Sequence, residues 1–232
     1  MNKTLPLLAL VALGATSTVA RAEVSSTITL ASDYDFRGIT QSALDPALQA
    51  SLDWSAESGL YASLWASNVD FGEDTTSDTE VDLVLGYSGS VNDDFGYDLG
   101  VARYNYFDNG DDIDYNELFA GFTFKMFSAK LWYADDYVNS GESSSYLEGN
   151  LDVPLPNDFT FNLHIGRSAG DYWDSANDGG YTDYSVGVTR AFGNFELGLK
   201  WLKTSGYEFD KDVDANSGDR RALLTISTTV PW

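Results

Sequence analysis

Asp33, Asp35 and Arg37 alternate with Tyr34 and Phe36 near the start of the chain. In an extended segment this spacing puts all three charges on one side. Two roles suit such a set. It can belong to a charged ring that sets ion preference in a pore. Equally, Arg37 can bridge carboxylates inside a narrow barrel and pin the first strand. His164 is the single histidine. A general base there would need a serine within hydrogen-bond reach and a third group to orient the ring. No nucleophile motif surrounds it, so a polar lining residue is the main reading and a lipid hydrolase the lesser one. Asp210-Lys-Asp-Val-Asp214, with Asn216 and Gly218, spaces oxygen donors as a calcium loop does but lacks the central Gly and terminal Glu of an EF-hand. The run Asp108 to Asp114 is similar. Both can be solvated acidic faces or loose rim sites for Ca²⁺ or Mg²⁺ beside lipopolysaccharide phosphates.

The elements that hold these residues must suit a cysteine-free chain of 232 residues with a net charge of −23. Disulfide scaffolds and thiolate sites are excluded. The acidic excess opposes nucleic-acid binding. Disorder is opposed by the many Tyr, Phe and Trp residues. Lys3, the apolar stretch Leu5 to Ala20 and the small residues Ala20 and Ala22 predict an export signal over residues 1–22, cleaved to leave Glu23 first. No later stretch suits a membrane helix, and a membrane protein without helices must be a closed barrel.

Period-two alternation predicts about twelve strands. They are Thr27–Phe36, Ala47–Ala56, Leu60–Val69, Glu80–Tyr87, Phe95–Tyr106, Asn116–Phe124, Ala129–Tyr137, Tyr146–Val153, Phe159–Arg167, Thr182–Phe192, Phe195–Lys203 and a last one ending at Trp232. In the first, Ile28, Leu30, Tyr34 and Phe36 share the apolar face. In the last, Leu224, Ile226, Val230 and Trp232 alternate with Thr225, Ser227 and Thr229. A closing strand that ends on an aromatic residue resembles the C-terminal signal read by the outer-membrane assembly machinery, with Trp232 standing where Phe is usual.

The connections alternate in length. Short ones are Glu57–Gly59, Gly89–Asp94, Lys125–Ser128, Pro154–Asp158 and Gly193–Asn194. Long ones are Gly38–Pro46, Gly72–Thr79, Phe107–Tyr115, Val138–Ser145, Ser168–Tyr181 and Thr204–Gly218. Outer-membrane barrels pair short periplasmic turns with long extracellular loops, whereas Greek-key sandwiches mix lengths. Acids crowd the long connections. Arg103 and Arg190 share parity with lipid-facing neighbours, but each falls near a rim where it can snorkel. Tyr34, Phe36, Trp54, Phe95, Phe124, Phe159, Phe192, Phe195 and Trp232 sit near strand ends, as interfacial girdles do.

The run Ser32-Asp-Tyr-Asp-Phe-Arg-Gly-Ile-Thr-Gln-Ser42 is followed by Ser51-Leu-Asp-Trp54, Ser58-Gly-Leu-Tyr-Ala62, Trp65-Ala-Ser-Asn-Val-Asp-Phe71 and Gly86-Tyr-Ser-Gly89. It resembles the TorF-type family of proteobacterial porins, formerly known as conserved exported proteins. Thr40 departs from that family's second Ser. The resemblance is strongest from Ser32 to Gly89. It implies an outer-membrane barrel serving as a channel, and no catalytic residue.

The sequence therefore predicts an all-β protein: an antiparallel transmembrane up-and-down β-barrel over residues 23–232. Its expected role is passive diffusion of small solutes or cations, without a cofactor or metal. By parity, Asp33, Asp35, Arg37, Asp53, Asp82, Asp98, Glu148, Asp152, Glu196 and Lys200 face the lumen. Expected partners are outer-membrane lipid, lipopolysaccharide, the assembly machinery and the solute. A plugged barrel that binds lipopolysaccharide or partners through its loops is the alternative.

Overall fold

A computed structural model describes residues 22–72, 77–107, 112–207 and 220–232. The predicted export signal, residues 73–76 and 108–111, and the acidic stretch from 208 to 219 with its calcium-like spacing lie outside the described residues. Apolar-polar alternation yields a wall of twelve antiparallel strands: β1 (Glu23–Ala31), β4 (Ala47–Ser55), β5 (Leu60–Asn68), β6 (Thr79–Asn92), β7 (Phe95–Phe107), β8 (Tyr115–Phe124), β9 (Phe127–Ala134), β10 (Ser144–Leu155), β11 (Phe159–Ala169), β12 (Thr182–Phe192), β13 (Phe195–Ser205) and β14 (Arg220–Pro231). Two short strands, β2 (Asp35–Phe36) and β3 (Ile39–Thr40), pair only with each other. Sequence neighbours pair around the wall, and β1 closes on β14 from Ser25↔Pro231 to Ala31↔Thr225. Closure removes every sheet edge, so the wall's backbone groups pair without water.

The two faces follow the predicted parity. Ile28, Leu52, Leu85, Leu199 and Leu224 point outward and are exposed. Thr27, Glu80, Asp82, Glu117, Asp183 and Arg221 are buried within. A polar interior inside an apolar outer wall inverts the plan of a water-soluble protein and suits a bilayer. Arg190 faces outward near the short-turn end, with its guanidinium over the Phe159 ring at 4.9 Å. At the other end Arg103 pairs with Asp114 at 3.0 Å. Asp114, part of the second calcium-like run, is thus held by an arginine. Its other carboxylate oxygen accepts a bond from the Tyr106 backbone N–H at 2.8 Å.

Two predicted elements need correction. The first strand stops at Ala31 rather than Phe36, and residues 32–46 turn into the barrel. Tyr34 is buried and Phe36 packs against Tyr104, so neither belongs to a lipid-facing girdle. The cause is Arg221, which points inward from β14 and needs counter-charge there. Asp33 and Asp35 turn in to supply it. The seventh wall strand spans Phe127–Ala134, short of the predicted Tyr137. Tyr137 lies in a 3₁₀ turn, Tyr137–Asn139, and is buried. That turn and the helix α1 (Asp171–Ala176) close over the long-connection end. Their Tyr137 and Trp173 join Tyr104, Tyr106, Tyr115 and Tyr181 in one aromatic cluster.

Leu199 lies mid-strand, facing lipid between Val188 and Leu224. Leu199→Arg should destabilise the folded protein by about 2–4 kcal/mol, the midplane cost of an arginine. Reversible denaturant unfolding in lipid vesicles measures this. An unchanged midpoint would contradict a lipid-facing Leu199.

Candidate functional site

The segment inside the lumen is a two-residue hairpin. Phe36 pairs with Ile39, and Arg37 and Gly38 between them have φ of 52° and 83°. Positive φ at both central positions is the type I′ geometry that matches strand twist. Glycine is required at the second position. A Cβ on Gly38 would overlap Asp183 Cβ of β12 and Thr204 Oγ1 of β13. Thr204 Oγ1 donates to the Gly38 carbonyl at 2.6 Å. At the first position arginine carries a left-handed cost of about 1–2 kcal/mol. Its side chain offsets this through contacts across the lumen.

Those contacts span the barrel. Arg37 Nη1 and Nη2 donate to the two oxygens of Glu117 at 2.7 and 2.6 Å. Glu117 stands on β8, nearly opposite β1 in the strand order. Tyr104 O–H donates to Glu117 Oε2 at 2.9 Å. The guanidinium carbon lies 4.6 Å from the centroid of Tyr146 and 5.5 Å from that of Trp132, on β10 and β9. On the other side Arg221 Nε donates to Asp33 Oδ2 at 2.6 Å, Nη2 to Asp35, and Nη1 to the Gly38 carbonyl at 3.0 Å. Lys200 Nζ reaches Asp35 Oδ2 at 3.1 Å. Thr40 and Ser42 hydroxyls donate to Asp33. The hairpin is fastened to both sides of the wall by buried, charge-assisted bonds.

The remaining predicted residues divide by depth. Asp82 and Glu80 are buried beside the hairpin on β6, and Tyr106 O–H donates to Glu80 Oε1 at 3.0 Å. His164 lies between Asn150 Oδ1 at 2.7 Å and Asp183 Oδ1 at 2.8 Å. Tyr146 Oη is 3.0 Å from His164 Nε2. None of its hydrogen bonds among the described residues goes to a serine. Glu148 accepts from Trp132 Nε1 at 2.9 Å and from Asn150. Nearer the short turns Asp98 accepts from Tyr61 at 2.7 Å and Lys130 at 2.6 Å. Asp53 accepts from Ser51 and Ser63, and Asp152 from Asn162. Glu196 stands on β13 opposite Ser227.

A family described as "Bacterial protein of unknown function (Gcw_chp)" matches residues 14–230. The chain belongs to the Gcw_chp family. No curated protein matches the sequence. Among solved structures, a NanC porin is similar with a TM-score of 0.61 and 10% identity, over 88% of this chain and 98% of that one. A KdgM porin gives 0.56 and 9% identity, over 89% and 98%. KdgM in complex with disordered oligogalacturonate gives 0.54 and 10%, over 89% and 98%. At these identities the likeness is one of fold.

In this Gcw_chp chain the contacts bring Asp33, Asp35, Arg37 and Lys200 into one network, while Asp53, Asp98, Asp152 and Glu196 stay apart from it. Glu117, Asp183, Lys130 and Arg221 were missed as site residues, although strand parity already marked them as inward. Glu117 alternates with the outward Leu118, and Arg221 with Ala222 and Leu224.

Breaking one half of a buried ion pair is expected to cost about 3–5 kcal/mol, because a charge is left uncompensated. Arg37→Met and Glu117→Gln should each destabilise on that scale, and the double variant by clearly less than their sum. Equilibrium unfolding of the four proteins gives the coupling energy. Simple additivity would mean the two side chains do not interact.

Proposed function

We propose that this protein is a constricted outer-membrane channel for passive diffusion of small solutes, with a preference for cations. Residues 1–22 would direct its export, and the short turns would face the periplasm. The imbalance of lumenal charge carries the reading. Arg37, Arg221, Lys130 and Lys200 are each committed to a carboxylate. Asp53, Asp152 and Glu196 are in no ion pair among the described residues, so they leave a net negative field in the half of the lumen nearest the short turns. Low-dielectric walls focus such a field and raise the local concentration of cations. The porin fold of the structural neighbours and the resemblance to the TorF-type family support the channel reading. The bound oligogalacturonate of one neighbour is an acidic ligand, and this acidic lumen is poorly suited to the same class.

A second reading rests on the hairpin and the aromatic cluster, which together occupy the long-connection end of the lumen. A barrel sealed there would serve through its loops, with lipopolysaccharide or a protein as partner. No catalytic role is proposed for His164, whose ring nitrogens are taken up by Asn150, Tyr146 and Asp183.

The mature chain, refolded and inserted in a planar bilayer under a salt gradient, should give single-channel steps. The reversal potential should have the sign of cation selectivity. Asp53→Asn/Asp152→Asn should weaken that selectivity. Arg37→Ala should raise conductance by loosening the hairpin tip. Inserted, heat-modifiable protein that carries no current in either form would favour the sealed barrel.

A further inference from the structure

The outward face of β11 to β14 changes character toward the long-connection end. Strand pairing sets its side chains in rows. Phe161, Val188 and Leu199 form one row, and Val186, Trp201 and Ala222 form the next. Together they line a groove of about 310 Å³ on the lipid side of the wall. Beyond it, toward the rim, Tyr184, Lys203 and Arg220 stand side by side on β12, β13 and β14. Arg167 of β11 and Thr182 of β12 belong to the row after that. Arg167, Lys203 and Arg220 are exposed and share parity with Ile165, Trp201 and Ala222, so all three face out. No Asp or Glu shares that face of the four strands. Lys203 forms no ion pair among the described residues. Arg167 donates to the Gly180 carbonyl at 2.9 Å and to the Thr182 hydroxyl at 3.3 Å, neither of which carries a charge.

Three cations gathered over an apolar groove call for a reason in a chain with 36 acids and only 13 Lys and Arg residues. Like charges directly opposite on neighbouring strands, as Lys203 and Arg220 are, destabilise a sheet. A bound anion reverses that sign. We propose that this face is a docking site for the phosphorylated lipid anchor of lipopolysaccharide, with its phosphates on Arg167, Lys203 and Arg220 and an acyl chain in the groove. Guanidinium forks and an ammonium group both suit phosphate oxygens. The cations lie on the outside of the wall at the rim, where headgroups meet the barrel and a solute in the lumen does not. From β11 to β13 they span two strand spacings, roughly 10 Å, which suits more than one phosphate. Leu199 lies four residues below Lys203, about 13 Å along β13, so a lipid held by its headgroup lays a chain past Trp201 toward the midplane. A second copy of the chain fits less well, because a two-fold dimer through this face would set cation against cation. The inference rests on the outer-membrane reading with the long connections outside, and it holds whether or not the lumen conducts.

The test is binding of diphosphoryl lipid A by the refolded full barrel in detergent, read by native mass spectrometry. Wild type should retain it in preference to phosphatidylglycerol and to dephosphorylated lipid A. Lys203→Gln/Arg220→Gln should bind it roughly thirtyfold more weakly at low salt, at about fivefold for each charge near a lipid surface. Ala222→Phe, which fills the groove and leaves the charges in place, should weaken binding too. Arg190→Gln, at the opposite rim, should bind as wild type does. Equal binding by wild type and the double variant overturns the proposal, and so does equal retention of either control lipid. A dimer that the double variant abolishes also overturns it, by assigning the face to a second copy. Insertion is scored separately, by heat-modifiable mobility after folding into phosphatidylcholine vesicles. A barrel that inserts but has no preference for lipid A overturns the lipid site alone, whereas a chain that fails to insert overturns the membrane reading beneath it.

Discussion

The bidentate bond between Arg37 and Glu117 joins a turn near the start of the chain to the far side of the barrel, and the lumen is arranged around it. Both groups are buried, so neither can be left without the other. The bond also holds an arginine in a left-handed turn that it would not adopt alone. Once Arg37 is held, Gly38 must sit against Asp183 and Thr204, where only a glycine fits. Asp33 and Asp35 are then delivered to Arg221 on the other side. A cross-brace of this kind resists collapse of the wall, and it narrows whatever passage the wall encloses.

The brace is possible because the outer wall excludes the alternatives. On the lipid side a charge has no partner and no water, so ionised groups away from the rims turn inward. Arg103 and Arg190 show the exception at the rims, one paired with Asp114 and the other over Phe159. Inside, the guanidinium and ammonium groups find carboxylates, and a surplus of carboxylates remains. That surplus has two settings. Near the short turns Asp53 and Asp152 are satisfied by hydroxyls and an amide and leave a solvated negative field. Beside the hairpin, Glu80 and Asp82 are buried together, and their oxygens remain partly unsatisfied.

The solved porins that share this architecture differ from it in nearly all their residues. Such divergence is compatible with one fold because the wall asks little of each position beyond the correct face and a tolerable size. Whatever is particular to this chain therefore rests on the inner side chains and on the segment folded among them. Neither is inherited with the architecture.

Alternation in single strands was enough to determine the wall from sequence. Leu224, Ile226 and Val230 opposite Thr225, Ser227 and Thr229 set the two faces of β14, and the same period repeats from Glu23 onward. Alternating connection lengths fixed the up-and-down order, because each strand must return to the end it came from. The inward parity of Asp53, Asp98 and Lys200 was legible for the same reason. Local period says nothing about where a strand leaves the wall, and Tyr34 and Phe36 continue the alternation of β1 although they lie inside. Only the closed barrel decided that. Its closure brings Arg221 and Glu117 within reach of a turn 184 and 80 residues away along the chain. Buried charge then selects the inward path over the straight one. Parity assigns a residue to a face, but which residues meet across that face depends on the dimensions of the closed barrel, a property of all twelve strands together.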